Sequence, residues 1–148
     1  MTAPTGSSPD DLSILILDTD AASKLQVDKL RADYMDIIDS YDLLAITWIT
    51  EAEWRTGLQL KENRRREERF ELWMSKLLHL SQDSEVTRRY ADLASIAAQH
   101  GEGTKKRQND TWVAATAVRH DTPLMTLNRG DFMVYARHGG LRLEPPAD

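Results

Sequence analysis

The chain has no cysteine, and that one absence removes disulfides, thiolate metal sites and cysteine nucleophiles together. A fold built without disulfides suits a reducing compartment, so a cytoplasmic location is expected. Long apolar runs are missing too: Ile14 to Leu17 and Leu43 to Ile46 are short, far below the ~20 residues that a membrane-spanning helix needs. Residues Met1 to Asp10 are rich in Thr, Pro, Gly and Ser, with neither a basic stretch nor an apolar segment. They read as a loose tail, not as an export signal. Phosphate loops of the Gly-x-x-x-x-Gly-Lys type and serine nucleophile elbows are absent. The histidines, His79, His100, His120 and His138, have no ligand or triad spacing and receive no catalytic role.

Positive charge is also in short supply. With 24 acidic against 19 basic residues the net charge is −5, so the chain as a whole does not attract nucleic acid and any such contact has to be local. Three basic clusters exist: Arg64-Arg65-Arg66, Arg88-Arg89 and Lys105-Lys106-Arg107. The first is followed at once by Glu67 and Glu68 and reads as a solvated helix face. Lys105, Lys106 and Arg107 are the better RNA-binding candidates, because they stand just ahead of Asp110, an acidic residue that matters below.

What is present is an alternation of strands and helices. At 148 residues the chain can bury one core, and one domain is expected, with residues 1–11 and 145–148 as tails around a domain spanning 12–144. Leu12 to Leu17 is a β-branched-rich run that stops at Asp18-Thr19-Asp20, predicting a buried strand and a turn. Val27, Leu30, Tyr34 and Ile38 recur at helical spacing. Leu43 to Ile46 predicts a second strand, and Thr50-Glu51-Ala52-Glu53 a capping box opening a helix with Trp54 and Leu58. Phe70, Trp73, Leu77 and Leu80, then Val86, Tyr90, Leu93 and Ala97, predict two more helices, with Ser84 as a cap and Gly101 as a stop. Asn109-Asp110 leads into an alanine-rich helix. Leu124 to Leu127 predicts a strand, Phe132 sits on a short helix, and Leu141 to Leu143 predicts the last strand. This order implies an α/β sandwich around a mainly parallel sheet.

In such a sheet, ligands bind outside the carboxyl ends of the strands. Asp18 ends the first strand, Glu53 follows the second, Asp110 starts the late helix and Asp131 follows the strand at Leu124; all are expected on one edge. Taken singly, Asp18, Asp110 and Asp131 read as helix N-caps and Glu53 as a first-turn glutamate favoured by the helix dipole. Taken together they repel one another unless a cation neutralises them. An all-oxygen donor set suits Mg2+ or Mn2+, which bind phosphate oxygens readily, and this points to phosphodiester chemistry.

The ordered set of an apolar strand with Asp18-Thr19, Thr50-x-x-Glu53 with Gly57, Asn109-Asp110-Thr111-Trp112-Val113-Ala114-Ala115-Thr116-Ala117, and Thr126-x-Asn128-x-x-Asp131-Phe132 resembles the PIN domain. Within that family it most resembles the VapC-type toxins of bacterial toxin–antitoxin pairs, from Leu12 to Leu143. The resemblance implies a PIN-like three-layer sandwich and an Mg2+- or Mn2+-dependent endoribonuclease. It also implies a homodimer, held silent by a cognate antitoxin whose tail enters the active site. Asp18, Glu53, Asp110 and Asp131 match the family's acidic residues. Asp18 and Asp110 are expected as direct metal ligands, Asp131 next and Glu53 through water, with Thr19 and Asn128 as supporting donors. Two departures add negative charge near the site: Asp20, where the family commonly has Asn or Ser, and Glu51, where an apolar residue is usual. Asp20 is open as an extra ligand, a rival ligand or a helix cap, and the number of metal ions is open with it. Two alternatives stand beside this reading. Ile14 to Asp20 also resembles the Asp-x-Asp opening of haloacid-dehalogenase-like phosphatases, with Asp18 as nucleophile and Lys105 or Lys106 pressed into service, although Asp131 lacks the acidic neighbour such enzymes need. The other is a catalytically silent PIN-like interaction module.

Overall fold

The computed structural model describes residues 11–103 and 107–147. Five strands form one sheet in the order β3-β2-β1-β4-β5: β1 (Ile14–Leu17), β2 (Leu43–Thr47), β3 (Leu78–Leu80), β4 (Leu124–Met125) and β5 (Leu143–Glu144). Every neighbouring pair is parallel, with Ile16 opposite Ala45 on one side and Leu124 on the other. Parallel strands are joined by crossovers, and the crossovers here supply seven helices among the described residues: α1 (Thr19–Gln26), α2 (Ala32–Asp39), α3 (Trp48–Lys61), α4 (Arg64–Met74), α5 (Ser84–Gln99), α6 (Gln108–Arg119) and α7 (Arg129–His138).

Two separate cores explain why the central strands are apolar throughout instead of alternating. Leu15, Leu17, Ile46 and Met125 point to the face covered by α1, α2 and α4, where they meet Ala21, Tyr34, Ile38 and Phe70. Ile16, Ala45, Leu124 and Leu143 point the other way, against Val86 and Leu93 of α5, Val113 to Ala115 of α6 and Phe132 of α7. A strand covered on both faces buries every side chain, and Leu15, Ile16 and Leu17 have no exposed surface at all. At roughly 1.5–3 kcal/mol per buried Leu or Ile, β1 anchors the domain. α6 is buried on most of its surface because Ala114, Ala115 and Ala117 let α5 approach closely.

The architecture is the expected three-layer α/β sandwich, with a sheet that is parallel throughout. Several element boundaries differ from the sequence reading. The chain does not pause after Asp18: α1 starts at once, and the helix expected from Val27 to Ile38 is only its second half, α2. Thr47, not Thr50, caps α3, accepting from the Thr50 amide at 3.3 Å, so Glu53 falls in the second turn, beyond the first-turn dipole position. Leu77 and Leu80 do not extend α4; Leu78–Leu80 is an edge strand. Asp83 caps α5 and Ser84 is its first residue. β1 begins at Ile14, β4 stops at Met125 and β5 is shifted to Leu143–Glu144.

Candidate active site

Because the strands are parallel, their carboxyl ends share one edge, and the loops leaving it carry the acidic residues. Asp18 follows β1 directly and is 6% exposed. One of its oxygens accepts from the Ala21 amide at 2.9 Å, capping α1; the other accepts from the buried hydroxyl of Thr126, just past β4. Thr126 also accepts from the Asn128 amide at 3.0 Å, so the loops after β1 and β4 are locked together through Asp18. The Thr19 hydroxyl donates to Glu53 Oε1 at 2.7 Å, and the Asn109 amide donates to Glu53 Oε2 at 3.4 Å, which joins α1, α3 and α6 at one carboxylate. Asp131 Oδ1 lies 3.8 Å from Arg107, whose other terminal nitrogen is 3.5 Å from Glu102.

Asp110 and Asp131 are not caps. Each is the third residue of its helix, and the residues at the cap positions, Arg107 and Asn128, make no side-chain cap hydrogen bond. The capping explanation survives only for Asp18. Burial pushes the Asp18 carboxyl up to about 6 against the hydrogen bonds from Thr126 and Ala21, with the charges of Asp20 and Asp110 adding to the rise. Burial also raises Asp110; Asp131, Glu53 and Asp20 raise it further and Arg107 opposes them. The acidic residues therefore sense one another across the edge. Two of them are desolvated, the arrangement in which a bound cation is most favoured.

Thr19 and Asn128 both donate to carboxylates of this edge, Thr19 to Glu53 and Asn128 to Asp20 at 2.7 Å. Asp20 does not cap α1, since Asp18 does; it is exposed and engaged by Asn128. Glu51 is turned away from the edge, 2.8 Å from Arg55 and 3.0 Å from His79. His79, left without a role by its spacing, holds β3 to α3 and α4: its second ring nitrogen is 2.9 Å from the Met74 carbonyl. Both partners are acceptors, so the doubly protonated ring satisfies both, in keeping with its raised pKa, to which the Met74 bond contributes most. Lys105 and Lys106 lie outside the described residues; Arg107 stands beside Asp131. Thr126 stands in the sequence motif without a role of its own, although its signal was present: a threonine at a strand end, two residues before Asn128, is placed to bond back to its own loop.

Residues 15–137 match the PIN domain family. No curated protein matches the chain. Among solved structures, the chain is similar to VapBC-1 from nontypeable Haemophilus influenzae, at 22% identity and a TM-score of 0.74, over 88% of this chain and 96% of that one. It is similar to FitAcB from Neisseria gonorrhoeae at 26% identity and a TM-score of 0.67, over 87% and 95%. It is also similar to VapBC-5 from Mycobacterium tuberculosis, a member of a family of toxin-antitoxin systems, at 25% identity and a TM-score of 0.67, over 88% and 97%. The family match runs from the first buried strand to the last helix, through every loop that carries a carboxylate of the edge, and the chain belongs to the PIN domain family.

Proposed function

We propose that this PIN-domain chain is an Mg2+- or Mn2+-dependent endoribonuclease and the toxin of a toxin–antitoxin pair. One observation carries the reading: Asp18 and Asp110 are desolvated carboxylates on one edge, each raised by the other acidic residues around it. The donor set is all oxygen, without cysteine or clustered histidine, which suits a hard divalent cation. Among the described residues no three acidic or histidine side chains are arranged to hold an ion unaided. Mg2+ takes one or two carboxylates, keeps several waters and completes its shell with substrate phosphate. Asp18 and Asp110 would hold it, with Asp131 next and Glu53 acting through water.

A bound cation supplies charge neutralisation at the phosphodiester and an acidified water. The chain's own residues supply position. Thr126 and the Ala21 amide fix both oxygens of Asp18, and Thr19 with Asn109 fix Glu53. Arg107 restrains Asp131 and brings positive charge beside the edge, where an RNA phosphate needs it. A cognate antitoxin belongs to the same proposal, supported by the likeness to toxin-antitoxin assemblies, and a homodimer and a cytoplasmic location are proposed with it. Among the described residues no helix is long and apolar enough to cross a membrane. The phosphatase alternative loses its ground, since the family match covers the Asp18-x-Asp20 segment and Asn128 engages Asp20. The silent-module alternative is answered by assay. Single-stranded RNA is expected to be cleaved with Mg2+ or Mn2+, and cleavage should stop with EDTA and return with excess Mn2+. Cleavage that persists in EDTA would contradict the metal reading, and no cleavage in either metal would favour the silent module.

A further inference from the structure

The arginines of α4 are the largest block of positive charge that the described residues leave unpaired. Arg55, Arg88, Arg89, Arg107 and Arg119 each sit against a carboxylate. Arg64, Arg65, Arg66 and Arg69 are exposed and make no ion pair, although Glu67, Glu68 and Glu71 share their helix. The helix segregates its charge. Glu67, Glu68 and Glu71 line one cavity together with Arg55 and Arg64. Arg66 and Arg69 line another, of about 120 Å³, whose remaining walls are Gln26, Val27, Trp54 and Leu58. The helical neighbours of Arg69 at three and four residues are Arg65, Arg66, Leu72 and Trp73, so no acid on α4 can reach it. Two arginines at i, i+3 repel each other, and an anion between them relieves that repulsion.

α1 joins the carboxylate edge to the wall of this cavity. α1 starts beside Asp18 and ends at Gln26, and eight helical residues at about 1.5 Å each make it about 12 Å long. A short stretch of single-stranded RNA can cover that span. Guanidinium forks match phosphate oxygens in pairs, and an indole beside them offers apolar surface to a base.

Resting on the ribonuclease reading, we propose that Arg66 and Arg69, with Gln26, Val27 and Trp54, form a flanking subsite for single-stranded RNA. The arginines take a backbone phosphate, and the apolar wall takes the adjoining base. The test uses the full chain in an Asp110→Asn background, so that RNA is bound without being consumed, with binding of a fluorescent single-stranded RNA followed from about 50 to 200 mM salt. Each phosphate contact contributes ~0.7 to the salt slope, so Arg66→Gln with Arg69→Gln should lower it by ~1.4; the parent then loses about sevenfold more affinity than the variant over that range. Arg66→Lys with Arg69→Lys should keep the slope while weakening binding, because charge survives and the fork does not. Arg88→Gln with Arg89→Gln should change neither. Gln keeps helix propensity at these exposed positions, so thermal melts should match the parent. A parent that binds RNA with a slope unchanged by the Gln pair overturns this subsite alone. A parent that binds no RNA overturns it together with the ribonuclease reading. Poly-glutamate bound as tightly as RNA of equal charge would overturn it by assigning the patch to an acidic protein.

Discussion

Replacing Asp18 by Asn should make the metal-free protein more stable at neutral pH. The Asp18 carboxyl is raised from 3.8 to about 6, chiefly by burial, so holding it ionised costs the folded state about 3 kcal/mol above pH 6. The sign follows from linkage. As pH falls through about 6 the folded protein takes up a proton that the unfolded chain binds only near 3.8, and wild-type stability rises until about pH 4. The Asn form has no such proton. Its carbonyl can still accept from the Ala21 amide, while its amide can donate to Thr126 only if the Thr126 hydroxyl, which donates to Asp18 in the wild type, turns to another acceptor, and this offsets part of the gain. In EDTA at pH 7.5 the variant should therefore melt higher, by up to roughly 6–12 °C at roughly 2–4 °C per kcal/mol, with the gap closing towards pH 4. Thermal melts from pH 4 to 8 in chelator measure this. A variant that melts no higher than wild type at pH 7.5, with parallel pH profiles, would refute the claim that Asp18 is a desolvated, charge-stressed carboxylate.

Thr19→Val keeps shape but removes the hydroxyl that donates to Glu53; melting should change little while RNA cleavage falls roughly 10-fold or more, and unchanged cleavage would take Glu53 out of the site. Gly139→Ala places a methyl against Leu93 Cδ2 and 3.0 Å from the Tyr135 carbonyl at the end of α7, so a loss of roughly 1–3 kcal/mol is expected in urea unfolding, and a neutral result would show that the α5–α7 seam yields.

The parts of the fold that were legible in the sequence are those where burial is total. β1 and β2 are apolar on both faces, and only a doubly covered parallel strand demands that. α1 was missed because its buried positions are Ala21 and Ala22, small residues that leave hardly any stripe among Asp20, Ser23 and Lys24. β3 was missed because Leu77 and Leu80 continue the period of α4, and a three-residue edge strand has too few positions to show its own. Thr47 and Thr50 lie three residues apart, and either can open a helix; the cap is decided by where β2 ends. The shared edge of Asp18, Glu53 and Asp131 followed from their places after strands, and that of Asp110 from its place at the start of a helix. The couplings between them did not, because the bonds from Thr126 to Asp18 and from Asn109 to Glu53 join residues 108 and 56 positions apart. Glu51 shows the opposite error: its number suggested the site, and its helical phase turns it to Arg55 and His79.

The central claim is that this edge holds a divalent cation for RNA hydrolysis, and Asp110→Asn tests it most directly. Asp110 is the third residue of α6 and caps nothing, so the substitution costs the helix only the ~0.3–1 kcal/mol of a first-turn charge while relieving repulsion from Asp131 and Glu53. Calorimetric Mn2+ titration and single-stranded RNA cleavage, run side by side on folded wild type and variant, should show metal binding and cleavage in the first and loss of both in the second. An Asp110→Asn protein that binds Mn2+ and cuts RNA as wild type does would contradict the account.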